Sequence, residues 1–145
     1  MNYSAYQPRP DLLKDRIILI TGAGDGIGRA AAISYALHGA TVVLHGRTLN
    51  KLEVIYDEIE SLGAPQPAIL PLQLSSASSH DYELLVSTLE QQFGRVDGIL
   101  HNAGMLGDRV ELADYPVDVW DDVMAVNLRA SFALTQALLP LLQKS

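Results

Sequence analysis

The 145-residue chain contains no cysteine, which excludes disulfides, thiolate metal sites and cysteine nucleophiles together. Lysine is scarce, limited to Lys14, Lys51 and Lys144, and acidic residues outnumber basic ones 17 to 10, for a formal net charge of −7. A nucleic-acid surface needs clustered Lys and Arg, so nucleic acid is not an expected partner, although a local basic pocket for a phosphate remains compatible with this balance. Residues 1–10 are polar and proline-containing, without the apolar run of a signal peptide. The longest apolar stretches read as amphipathic or buried patterns that fall short of the ~20 residues needed to span a bilayer. The expectation is a cytoplasmic protein with no membrane partner. The histidines His38, His45, His80 and His101 are scattered and suggest no metal site.

What is present is an ordinary globular composition, 48% hydrophobic and 19% charged, on a length that suits one domain. After an N-terminal extension, residues 1–15, short β-branched runs alternate with helical patterns. Strands are expected at 16–21, 41–45, 68–74 and 96–101, and helices at 27–38, 49–62, 81–93 and over most of 117–142. Gly39, Gly63 and Gly94 stand where the first three helices should stop. Pro71 removes a ladder donor, so the third strand should lie at a sheet edge, and Pro140 should bend or end the last helix. Strands separated by helices, without hairpin signals, imply a parallel sheet with helices on both faces. The fold class is therefore α/β, a doubly wound parallel sheet of the Rossmann type, with about four strands in the order 3-2-1-4. The fourth strand has no successor to pair with its open side, and the last helix is apolar on more than one face. The sheet reads as incomplete.

The junction between the first strand and the first helix is Thr21-Gly22-Ala23-Gly24-Asp25-Gly26-Ile27-Gly28. Gly22 allows a tight exit from the strand, Gly26 a close backbone approach to a pyrophosphate, and Gly28 close packing of helix on strand. An anion would then sit at the helix N-terminus, near unpaired N–H groups. A tight turn alone needs glycine too, but a glycine turn that follows a strand and opens a helix is the dinucleotide-binding context. Residues for the ribose should lie at the end of the second strand, where NAD enzymes place an acid. Here Gly46-Arg47 supplies a guanidinium suited to a 2′-phosphate, which favours NADP(H) over NAD(H). Asp25 opposes that extra phosphate, and a solvated Arg47 at a strand end is the plain alternative.

The spacing Thr21-Gly-x-x-x-Gly26-x-Gly28 resembles that of the short-chain dehydrogenase/reductase family. His101-Asn102-Ala103-Gly104 resembles the family's Asn-Asn-Ala-Gly, with His in place of the first Asn, and Asn127 matches the family's active-site Asn on its long helix. The three motifs follow the family's order and approximate spacing over nearly the whole chain. The resemblance implies that Asn102 ties adjacent strands beneath the cofactor while Ala103 and Gly104 admit the adenosine ribose. It implies that Asn127 helps fix a water chain to the catalytic Lys; a buried Asn satisfied by backbone carbonyls is the structural alternative. His101 is expected to be structural, in a buried strand. Gln73 stands where the family often has an Asp that contacts adenine, and its amide oxygen can accept the same bond.

The family's chemistry further requires a Ser, and a Tyr four residues before a Lys. No tyrosine here has lysine at that spacing. Residues 1–145 are thus expected to be the N-terminal, cofactor-binding part of a single domain, inactive and poorly stable or aggregation-prone alone. The complete protein is expected to act on a small carbonyl or alcohol substrate and to form a homo-oligomer through the long helix. Three other readings stand beside this one. They are a non-catalytic NADP(H)-binding module, an interaction fragment, and an S-adenosylmethionine methyltransferase, for which Gly46-Arg47 is the wrong chemistry.

Overall fold

In the computed structural model, which describes residues 6–145, four strands form one parallel sheet with helices on both faces. Residues 1–5 of the N-terminal extension lie outside the described residues; Leu13, within its remainder, packs on the core, and its N–H donates to the His38 carbonyl at 2.9 Å. The strands are β1 (Ile17–Thr21), β2 (Thr41–Gly46), β3 (Ala68–Pro71) and β4 (Gly98–Leu100). Their order is β3-β2-β1-β4, as expected, and each pairing is parallel. The register sets Thr21 beside His45 and His45 beside Leu70. The strand order reverses between β1 and β4, and in open α/β sheets such a reversal leaves a crevice beyond the carboxyl ends of the strands.

The helices are α1 (Gly26–Leu37), α2 (Leu49–Ser61), α3 (Ser79–Phe93), α4 (Val117–Met124) and α5 (Ala130–Leu142). Strand alternation sorts their contacts. Ile20, Val42 and Leu44 pack with Ala32 and Ala36 of α1 and with Leu52, Ile55 and Ile59 of α2. Leu19, Val43 and Ala68 pack on the opposite face with Leu85 and Leu89 of α3 and with Leu134, Leu138 and Leu141 of α5. Side chains two apart on a strand share a face, so each strand feeds both layers.

Several boundaries differ from expectation for local reasons. α3 begins two residues early because Ser78 is its N-cap; the hydroxyl accepts from the Asp81 N–H, and the Asp81 carboxylate accepts from the Ser78 N–H, a capping box. β3 ends at Pro71 rather than at residue 74, although the Leu72 N–H still donates to the Gly46 carbonyl at 3.0 Å; the donor that Pro71 lacks would point to the open edge of the sheet. β4 has only three residues, which leaves His101 past its end and exposed, not in a buried strand. Pro140 does not end its helix, which runs on to Leu142.

The final helix departs most. Between α4 and α5 the backbone widens into a π-helical segment, Ala125–Arg129. The continuous helix Val117–Leu142 has 26 residues and is long and apolar enough, by length and composition, to cross a membrane, contrary to the shorter runs read from the sequence. Its inward leucines are nevertheless part of the sheet-covering core described above.

At the amino end of the sheet, Asp97 joins β1 to β4. Its side chain is 3% exposed and accepts from the Ile17 N–H at 2.8 Å and from Arg16 and Arg95 at 3.2 Å each. Burial alone would raise its carboxyl pKa, but these bonds, with one from the Ser145 hydroxyl, hold it below the usual carboxylate value.

Candidate functional site

At the carboxyl end of the sheet the chain leaves β1 at Thr21, whose hydroxyl is a hub. It donates to the Leu100 carbonyl at 3.3 Å and accepts from the N–H groups of Asn102 and Ala103 at 3.0 Å each. The Asn102 amide nitrogen donates back to the carbonyls of Thr21 and Gly22, both at 3.1 Å. Asn102 thus ties the loop after β4 to the turn after β1, across the strand-order reversal. A Cβ on Gly28 would run into the Gly22 carbonyl oxygen and the Asn102 amide, so only glycine lets α1 approach this closely. Gly26 lies in the left-handed region at φ +51°, and nothing comes within 4 Å of the place a Cβ would occupy. The backbone there faces open space, as a site for a bulky anion requires.

Asp25 caps α1, its carboxylate accepting from the Gly26 N–H at 2.8 Å, and it pairs with Lys51 of α2 at 2.9 Å. The Lys51 hydrogen bond, more than any other contact, holds the Asp25 carboxyl below its ordinary value. The acid that seemed to oppose a phosphate is therefore already matched by a cation. Arg47 lies exposed where β2 gives way to α2, and among the described residues no ion pair engages it.

These pieces border one cleft of about 430 Å³, within the range of nucleotide-sized pockets. Of the residues singled out from the sequence, Gly22, Asp25, Arg47, Gln73, Ala103 and Gly104 line it. Gln73 follows the end of β3, its amide nitrogen donating to the Ser75 hydroxyl at 3.1 Å. Gly26, Ile27, Gly28, Asn102 and Asn127 do not line the cleft. Gly28 and Asn102 stand behind it and shape the turn, while Ile27 is 80% exposed at the head of α1. Asn127 is exposed, not buried as the structural alternative supposed. Its amide oxygen accepts from the Met105 N–H and its amide nitrogen donates to the Met105 carbonyl, both at 2.9 Å. This two-point clasp comes from the π segment, a distortion frequent at functional sites, and it pins the loop that carries Ala103 and Gly104. His101, also exposed, has its Nε2 2.8 Å from the Thr135 hydroxyl, and partial burial lowers its pKa.

The cleft also draws on residues that pattern reading passed over, His45, Lys51, Leu72, Met105 and Asp122, and on Val126, the neighbour of Asn127. Lys51 stands in the first turn of α2, and no spacing in the sequence pointed to its pairing with Asp25 from the turn after β1. His45 is 1% exposed, and neither ring nitrogen has a hydrogen-bond partner. Burial pushes its pKa down to about 4. The imidazole is neutral near pH 7.

A parallel α/β sheet with a glycine turn beside its strand-order reversal, and a basic residue at the end of the second strand, defines the nucleotide-binding Rossmann class. The sequence model of the family described as short chain dehydrogenase matches residues 16–145, and the chain belongs to that family. It is 50% identical over 140 residues to the uncharacterized oxidoreductase YciK of Escherichia coli strain K12, covering 97% of this chain and 56% of the relative. A short chain dehydrogenase structure from Pseudomonas syringae superposes with a TM-score of 0.93 at 51% identity, covering 97% of this chain and 58% of that one. Another, from Escherichia coli CFT073 and complexed with NADPH, gives 0.91 at 50% identity, covering 95% and 57%. The chain therefore spans little more than half the length of these relatives.

Proposed function

We propose that this chain is the cofactor-binding part of a short-chain oxidoreductase that uses NADP(H) to interconvert a carbonyl and an alcohol. The observation that carries the cofactor choice is Arg47, exposed at the cleft and free of ion pairs among the described residues, beside an Asp25 matched by Lys51. A guanidinium in that position can take a 2′-phosphate through two parallel N–H···O bonds. The NADPH complex of the Escherichia coli CFT073 relative supports the same choice. In this reading the pyrophosphate lies against Gly26 and the head of α1, the adenosine lies over Ala103, Gly104 and Gln73, and Asn127 holds the Met105 loop beside them. The bound cofactor supplies the hydride.

This chain has no Tyr with Lys four residues on, so the proton-transfer residues are assigned to the rest of a longer protein. A cytoplasmic location is part of the reading, and the packing of Leu134, Leu138 and Leu141 into the core supports a water-bathed domain. So is self-association through the last helix, which exposes Trp120, Leu128 and Phe132.

The test compares NADPH and NADH binding by the full-length protein and by its Arg47→Ala variant. NADPH should bind more tightly, and the substitution should weaken it by about ten- to a hundredfold while leaving NADH nearly unchanged. Tighter binding of NADH, or an unchanged NADPH affinity in the variant, removes Arg47 from the site.

A further inference from the structure

We infer that Lys51 is a second cation for the 2′-phosphate of NADP(H), and that with Arg47 it sets the discrimination against NAD(H). The assignment rests on the cofactor reading above. Thr48 is the N-cap of α2, which places Lys51 in the first turn of that helix. A cation there faces the positive end of the helix, where an acidic side chain is the stabilising choice. The first turn of α2 contains no acid, and the Thr48 side chain makes no capping bond. Lys51 therefore does nothing for its own helix.

Two contacts fix where its side chain runs. The Lys51 Cβ and Cδ lie 3.3 and 3.8 Å from the place a Cβ on Gly24 would occupy, so the stem rests on the glycine turn. The Nζ then ends 2.9 Å from Asp25 Oδ2. Gly24 and Asp25 both line the cleft, as do Arg47, Thr48 and Lys51 itself. The side chain thus follows the cleft wall from the head of α2 to the turn. It is open to a ligand, with the Lys51 side chain 56% exposed and that of Asp25 81%. An ammonium has three donors, and the bond to Asp25 takes one of them.

Charge gives these remaining donors their partner. A phosphate monoester carries close to two negative charges at neutral pH, and Arg47 answers one. Arg47 stands next to the N-cap of the same helix, so the second cation comes from the same short segment. The cleft's other acid, Asp122, belongs to α4. An exposed ion pair such as Lys51–Asp25 is weak, and sharing its ammonium with a dianion costs little. Asp25 holds the ammonium at the turn, and the 2′-phosphate takes a donor that Asp25 leaves.

Neutralising Asp25 is the other task that Lys51 could have, and the experiment separates the two. It compares full-length Asp25→Asn with the double variant Asp25→Asn/Lys51→Met. Asparagine keeps the cap on α1, and methionine keeps an apolar stem on Gly24. Each protein, with the wild type, is titrated with NADPH, NADH, adenosine 2′,5′-bisphosphate and adenosine 5′-monophosphate. Adding Lys51→Met to Asp25→Asn should weaken NADPH and the bisphosphate by about tenfold, with NADH and the monophosphate nearly unchanged. Equal NADPH affinity in the two variants overturns the inference and leaves the cofactor reading standing, because Lys51 then serves only Asp25. An equal loss for NADH and NADPH also overturns it. A wild type that does not prefer NADPH overturns the cofactor reading and this inference with it. Should the double variant not fold, ammonium NMR of the wild type decides. The Lys51 Nζ signal should shift with the bisphosphate and not with the monophosphate, and equal responses overturn the assignment.

Discussion

At the residue scale the cleft is a set of small charge and hydrogen-bond decisions. Lys51 matches Asp25, Arg47 has no ion pair among the described residues, and His45 is held neutral by burial. The last has a consequence for pH. The folded protein releases the His45 proton at about 4, whereas an unfolded histidine does so near 6.5. Between those values the unfolded chain binds the additional proton, so folding weakens as pH falls from about 6.5 toward 4 and is indifferent to this group above that window. Denaturant titrations should find the wild type about 2 kcal/mol less stable at about pH 5 than at about pH 7.5 from this group. His101 is shifted in the same direction, so the contrast with His45→Leu isolates the contribution, and equal acid losses in the two proteins would refute it. Arg47 was legible in the sequence because a strand end after a glycine turn is a place where chemistry is expected. His45 was not, because a histidine beside a strand end looks the same whether its ring meets water, protein or a ligand.

At the scale of elements, the β1–turn–α1 unit owes its shape to contacts distant in sequence. Gly28 faces the Gly22 carbonyl and the Asn102 amide, which arrives from beyond β4. Gly28→Ala should force these apart and destabilise the protein by about 1–3 kcal/mol, the usual cost of overpacking a close contact. It should weaken NADPH binding as well. Thermal denaturation measures the first effect, and an unshifted melting temperature would show that the turn yields without cost. The glycine spacing announced the turn, and the apolar periods announced the four strands and the α-helices, but not the short 3-10 helix Leu112–Asp114. The π segment left no such trace in the apolar pattern, although it carries the Asn127 that clasps Met105. The capping box at Ser78 and Asp81 was present in the sequence as a Ser followed three residues later by an acid, and it corrects the start of α3.

For the whole molecule, surface decides behaviour. β4 pairs only with β1, so its other side is a sheet edge among the described residues. The last helix exposes Val117, Trp120, Leu128 and Phe132, at 73%, 55%, 62% and 65%. An open strand edge next to a large apolar surface favours association. The 145-residue chain by itself should therefore self-associate in sedimentation velocity and should not oxidise NADPH with any carbonyl substrate. A monomer that unfolds cooperatively would contradict the first expectation, and measurable turnover would contradict the second.

The sequence alone determined the class of this protein: periodicity dictates strands and helices in alternation, and a glycine turn that follows a strand and opens a helix is the dinucleotide-binding context. It also determined the family, because three short motifs in order are specific where each one is weak. Tertiary structure alone decided which of those residues face the cleft and which stand behind it. Gly28 and Asn102 became scaffold, Lys51 became the partner of Asp25, and His45 became a buried imidazole with no bond of its own. The physical reason is that motif spacing follows from local backbone geometry, whereas burial, pairing and orientation arise only when segments far apart in the chain are packed together.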